Sequence, residues 1–122
     1  MKKTGDLGEQ LAAVYLTGKG YSIKERNWRG ANGMKAPEVD IIATRSEVLV
    51  FIEVKTSTTN KYGSPQEWIT PQKRSRLIQA AQIYLAAYDL ANTACRFDAI
   101  VIDKSVKPPE ILHIENAFSV TD

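Results

Sequence analysis

The sequence predicts an α/β protein with a central mixed sheet of four to five strands flanked by two main helices. Three observations lead there. Helix-like and strand-like periodicities follow one another in the order α, three strands, α, two strands, with no internal repeat, low-complexity tract or linker. The run EVLVFIEVK, Glu47 to Lys55, is dense in β-branched and aromatic residues. Finally, 122 residues suit one compact domain, residues 1–122, and leave little room for a second.

The first helix is expected from Asp6 to about Thr17, with Asp6 and Glu9 spaced as a capping-box-like pair and Gly18 and Gly20 ending it. Leu7, Leu11, Val14 and Tyr15 recur at helical spacing. At ~100° per residue, Glu9 falls on the opposite side among Ala12, Ala13 and Leu16. The helix is apolar almost all round, so Glu9 occupies a crowded position where a carboxylate is costly unless something satisfies it. A strand follows from Tyr21 to Asn27. The stretch from Trp28 to Pro37, with Gly30, Asn32, Gly33 and Pro37, reads as an irregular loop.

Glu38 to Thr44 and Glu47 to Lys55 then form a hairpin about Arg45-Ser46. Thr56 to Ile69 is polar, carries Gly63 and Pro65, and reads as a loop. The second helix starts at Thr70, a good N-cap, with Pro71 at its first position; Leu77, Ala81, Tyr84, Leu85 and Tyr88 share one face. Arg96 to Asp103 and Glu110 to Ile114 are the last two strands, separated by Pro108 and Pro109.

Composition narrows the function classes. With 43% hydrophobic and 25% charged residues the chain is an ordinary globular sequence, neither disordered nor membrane-embedded. The net charge is only +2, so attraction to nucleic acid must come from where the charges lie. Cys95 is the sole cysteine, which rules out an intramolecular disulfide and fits a reducing compartment. Met1-Lys2-Lys3 could open a signal peptide, but Asp6, Glu9 and Gln10 interrupt the apolar stretch it needs. No run approaches the ~18 apolar residues of a membrane span, and a cytoplasmic location is expected.

Alternation along the strand puts Leu49, Phe51, Glu53 and Lys55 on one side and Val48, Val50, Ile52 and Val54 on the other. With the turn at Arg45-Ser46, Thr44 pairs with Glu47, Asp40 faces Phe51 and Glu38 faces Glu53. Asp40 is then a diagonal neighbour of Glu53 on the same face, roughly 7–8 Å away. Two carboxylates so placed can share a hard divalent cation, which could polarise a phosphodiester oxygen, while Lys55 could stabilise developing negative charge. The alternative is a row of solvated charges on an exposed sheet face. Leu49 and Phe51 argue against it, because the same face begins as core and turns charged only at its end.

Taken in order, GDLGEQLAAVYL, GYSIKERNWR, EVDIIA, FIEVKTS, ITPQKRSRLIQAAQIYL and RFDAIVID resemble the bacterial YraN family of predicted endonucleases over nearly the whole chain. That family is similar to archaeal Holliday junction resolvases and belongs with the restriction-endonuclease-like fold, whose signature is an Asp on one strand followed by Glu-x-Lys on the next. The resemblance implies that Asp40, Glu53 and Lys55 are catalytic. It also implies that Glu9, Asp40 and Glu53 hold Mg²⁺ or Mn²⁺. For Glu9, a capping-box carboxylate is the competing reading. Glu38 matches a family position too, where it could simply shape the start of the strand.

The chain also departs from the pattern. Gly30 to Pro37 makes a longer connection before the Asp strand, Pro37 replaces the usual glycine, and Ser57 stands where relatives often carry an arginine. Lys73, Arg74 and Arg76 open the second helix, at the end where the dipole prefers acids, which suits a phosphate nearby; solvated surface cations are the competing reading. His113 is expected to be structural, and Trp28 and Trp68 to be hydrophobic anchors.

The expected activity is metal-dependent hydrolysis of DNA phosphodiester bonds, branched DNA included. Nucleic acid is the expected partner, DNA before RNA, and resolvase-like relatives imply a homodimer. The rival is a non-catalytic nucleic-acid-binding or partner-docking module on the same fold.

Overall fold

Two tight turns, one long return and one helical crossover build the sheet. The computed structural model describes residues 3–120. Strands β1 (Ser22–Ala31), β2 (Met34–Arg45), β3 (Val48–Ser57), β4 (Cys95–Asp103) and β5 (Glu110–Phe118) lie side by side in sequence order. Neighbours are antiparallel except β3 and β4, which run parallel. Parallel strands cannot be joined by a tight turn, and α3 (Pro71–Ala87) lies in the connection between them. Helix α1 (Lys3–Gly18) precedes the sheet, and a single turn, α2 (Pro65–Trp68), precedes α3. The result is an α/β architecture with a five-stranded mixed sheet flanked by helices, consistent with the restriction-endonuclease-like fold.

The segment from Trp28 to Pro37 is not the expected loop but a further hairpin. β1 continues to Ala31 and β2 begins at Met34, joined by Asn32 and Gly33 with φ of 55° and 80°. Such a left-handed pair matches strand twist, and Asn-Gly is its commonest sequence. Between Trp28↔Val39 and Gly30↔Lys35 the register slips, leaving extra β2 residues around Pro37. Pro37 has no N–H to give a ladder, so a bulge is where it fits. Gly30 sits at φ 125°, and a Cβ there would overlap the Met34 carbonyl oxygen.

The second turn also falls one residue later than expected. Ser46 and Glu47, at φ 51° and 65°, make the turn, so Arg45 pairs with Val48 and Thr44 with Leu49. Arg45 stays in the strand, its guanidinium 5.5 Å from the Tyr21 ring centre. β3 runs on to Ser57, and Ser64 to Trp68 are ordered by Glu67 Oε2, which accepts the Ser64 N–H at 2.7 Å. The expected loop over Thr56 to Ile69 is therefore shorter, and β5 runs on to Phe118.

Each face of the sheet carries its own core. Leu49, Phe51, Phe97 and Ala99 pack with Leu77, Ala80, Ala81 and Tyr84 of α3. Val50, Ile52, Ile41, Ala43, Ile100 and Ile102 pack with Ala12 and Leu16 of α1. The sequence alternation of β3 is thus the alternation between two helical layers. Leu7 and Val14 of α1 face outward instead. Among the described residues, no helix is long and apolar enough to cross a membrane.

The second core contains a buried charge. Asp98, on β4, is 1% exposed. Its carboxylate accepts from Arg96 Nε and Nη2, both at 2.9 Å, and from the Asn116 N–H at 3.0 Å, and His113 Nε2 lies 2.7 Å away. Arg96 also donates to the Tyr21 hydroxyl at 2.6 Å. Burial pushes the Asp98 carboxyl up, but these hydrogen bonds together outweigh it and hold the group below the usual range. His113 is thereby a structural partner of Asp98, 7% exposed at its side chain.

Because the folded-state value is depressed, the stabilisation is present above the ordinary carboxyl pKa of about 4 and is lost as pH falls through the lower folded value. Asp98→Ala is expected to cost about 3 kcal/mol at pH 7, since the partly buried Arg96 guanidinium and the enclosed His113 would lose their carboxylate. Urea denaturation at pH 7 and pH 3 checks this: the gap between native and variant should narrow in acid.

Candidate functional site

β2 and β3 stay paired from Arg45–Val48 as far as Ile41–Ile52, and Asp40 and Glu53 are the next residues outward. Continued outward, the same register sets these two residues opposite one another, not in the diagonal relation expected from the sequence. There the Val54 N–H is taken by Asp40 Oδ2 at 2.8 Å, so a side chain continues the hydrogen bonding beyond the paired backbone. Asp40 and Glu53 line a cavity of about 270 Å³ together with Pro37, Glu38, Lys73, Arg76 and Leu77.

Helix α1 brings a fourth acid. It starts at Lys3, so Glu9 lies in its second turn rather than at a cap, and is 4% exposed. Neighbouring Gly8 lets the helix approach β3: a Cβ there would overlap Thr56 Oγ1. One carboxylate oxygen each from Glu9, Glu38 and Asp40 lies within 4.8 Å of the others. Two ligands on opposite sides of one ion are separated by about twice the metal–oxygen distance, roughly 4–5 Å for Mg²⁺ or Ca²⁺. The spacing and the all-oxygen donor set fit a hard divalent cation.

Glu53 stands beside this trio, engaged elsewhere. Its Oε2 is 2.5 Å from Lys73 Nζ, and its side chain is 10% exposed. Burial pushes the Glu53 carboxyl up, Asp40 beside it adds to the rise, and Lys73 opposes both without cancelling them. Lys73 reaches Glu53 from the first turn of α3, where Thr70 Oγ1 accepts the Lys73 N–H at 3.2 Å. Arg76 lines the same cavity; Arg74 does not.

The profile of an uncharacterised protein family, UPF0102, matches residues 8–102. The chain belongs to this family. UPF0102 is the YraN family that the sequence resembles, and the matched span includes Glu9, Glu38, Asp40 and Glu53. A UPF0102 protein of Dehalococcoides mccartyi is 42% identical over 96% of this chain and 93% of its own. One from Chlorobaculum parvum is 43% identical over 97% and 93%. One from Geobacter metallireducens is 41% identical over 98% and 94%.

In this UPF0102 protein the structure brings Glu9, Asp40, Glu53, Lys73 and Arg76 to one region. Lys55 continues β3 two residues beyond Glu53 and is partly exposed, outside the cavity lining. Glu38 is the acid that sequence reasoning undervalued. It joins Glu9 and Asp40 and lies 3.3 Å from Arg29 Nη2. Its signal was Pro37, whose bulge breaks the simple alternation of β2. Ser57, in place of a possible arginine, turns its hydroxyl to the Thr59 carbonyl at 2.7 Å.

Two outcomes follow without any metal. A raised Glu53 pKa means that its charge costs stability above the folded-state value, and that cost is relieved as pH falls through it. In EDTA at pH 8, Glu53→Gln should therefore melt above the native protein, and the difference should shrink towards pH 5. Gly8→Ala should gain about 1 kcal/mol of helix propensity only when Thr56 is also alanine, since the overlap cancels the gain in the native background; a double-mutant denaturation cycle measures this coupling.

Proposed function

We propose that this protein is a metal-dependent endonuclease that hydrolyses DNA phosphodiester bonds, branched DNA included. The observation that carries the reading is the convergence of Glu9, Glu38 and Asp40 within a span one divalent ion can bridge, with Glu53 adjoining them. Glu9, Asp40 and Glu53 would hold Mg²⁺ or Mn²⁺, and Glu38 would complete the oxygen set. A bound divalent ion supplies positive charge that polarises a phosphodiester oxygen and makes water a better nucleophile.

The chain's own residues supply the rest. Asp40 is fixed by the Val54 N–H, so one of its oxygens has a set direction. Lys55 brings an ammonium group beyond Glu53, suited to negative charge that grows as the phosphate is attacked. Arg76 and Lys73, at the start of α3, offer charge-assisted donors for flanking phosphates, and Arg74 on the same turn adds to the field. Membership of UPF0102 supports a shared architecture; the family's description names no reaction.

Branched, nicked and linear DNA, with RNA as competitor, incubated in Mg²⁺ or Mn²⁺ tests the proposal. Native protein should cut DNA, and Asp40→Ala should lose at least about a hundredfold. No cutting, or equal cutting by Asp40→Ala, would rule the reading out. Salt-sensitive binding without hydrolysis would identify the non-catalytic module instead.

A further inference from the structure

Lys73 occupies an unusual place for a cation. It is the third residue of α3, where the positive end of the helix dipole disfavours an ammonium group, and the first turn contains no acid to offset it. The compensating carboxylate comes from β3: Glu53 Oε2 lies 2.5 Å from Lys73 Nζ. This pairing coincides with a second fact. Among the described residues, the trio whose oxygens come within one ion's reach is Glu9, Glu38 and Asp40, and Glu53 is not part of it.

We propose that Lys73 is the resident counter-ion of Glu53, displaced when a divalent cation enters, so that one exchange frees Glu53 to join the oxygen set and releases an ammonium for a substrate phosphate. The inference rests on the metal-site reading above. Glu53 is nearly enclosed, so its charge needs a partner at close range whether or not a metal is present. Lys73 can be that partner and still leave. Its side chain is 44% exposed, and a lysine is a single charge on a flexible stem, holding its acid through one contact rather than a rigid fork. Both residues line the same cavity, with Arg76 alongside as a second cationic wall, so the displaced ammonium stays where a phosphate held by the site would lie.

An exchange makes Lys73 a competitor of the metal, whereas a purely supporting lysine would make it an ally. Calorimetric titration of Mn²⁺ at pH 8 into native protein, Lys73→Gln, Lys73→Arg and Arg76→Gln separates the two. Lys73→Gln should bind Mn²⁺ about five- to tenfold tighter, because a partly exposed ion pair no longer has to be broken. Lys73→Arg should bind Mn²⁺ no tighter than native, since a guanidinium fork holds Glu53 at least as firmly, and Arg76→Gln should stay within about twofold of native.

Equal or weaker Mn²⁺ binding by a Lys73→Gln protein that melts as a folded domain would overturn the exchange and leave the metal site standing. The same tightening in Arg76→Gln would also overturn it, since a general loss of positive charge would then suffice. Absence of Mn²⁺ binding in both native protein and Lys73→Gln would remove the exchange together with the metal site.

Discussion

The parting of β2 from β3 organises the molecule around the site. Backbone pairing extends to Ile41–Ile52, and beyond it the Val54 N–H needs an acceptor that β2's main chain no longer supplies. Asp40 Oδ2 provides it at 2.8 Å. The same carboxyl group therefore satisfies the sheet and borders the acidic cavity. Around that point the other elements take fixed stations: α1 lays Glu9 against one side through the close approach at Gly8, and α3 sets Lys73 and Arg76 against the other.

The protein handles two of its enclosed acids on the sheet, Asp98 and Glu53, in opposite ways. Asp98 is gripped by a two-pronged guanidinium, an imidazole and a backbone N–H, and its ionised form is favoured despite burial. Glu53 has a single ammonium partner, and burial together with Asp40 keeps its ionised form disfavoured. A carboxylate with many directional donors is a fixed strut. One with a single flexible partner is available for exchange. The contrast separates the acid that builds the fold from the acid that suits a ligand site.

Much of this was legible in EVLVFIEVK. The period-two pattern put Glu53 on the side of Leu49 and Phe51, and the structure has those residues under α3. The register was less legible, because Ser46-Glu47 does not announce a left-handed turn as Asn-Gly does. The resulting shift still preserved the face, since it moved partners by an even number of positions. Glu9 was readable from its place among alanines and Leu16. Glu38 was obscured by the bulge at Pro37, and the Lys73–Glu53 contact by its dependence on a crossover helix settling on the sheet, which neighbouring residues in sequence do not encode. The Asn32-Gly33 hairpin was present in the sequence, but the surrounding glycines and Pro37 made it resemble a loop.

One of the two outer strands, β1, carries a further consequence. An uncovered sheet margin offers unpaired amides to any extended chain it meets, and long flat margins invite stacking of one molecule on another. Here Lys24, Glu25, Arg26 and Arg29 crowd the strand, Asn27 takes a φ of 51°, and the ladder to β2 is interrupted near both Ile23 and Trp28. Mixed charge and a crooked rim make this border a poor template for the addition of another strand.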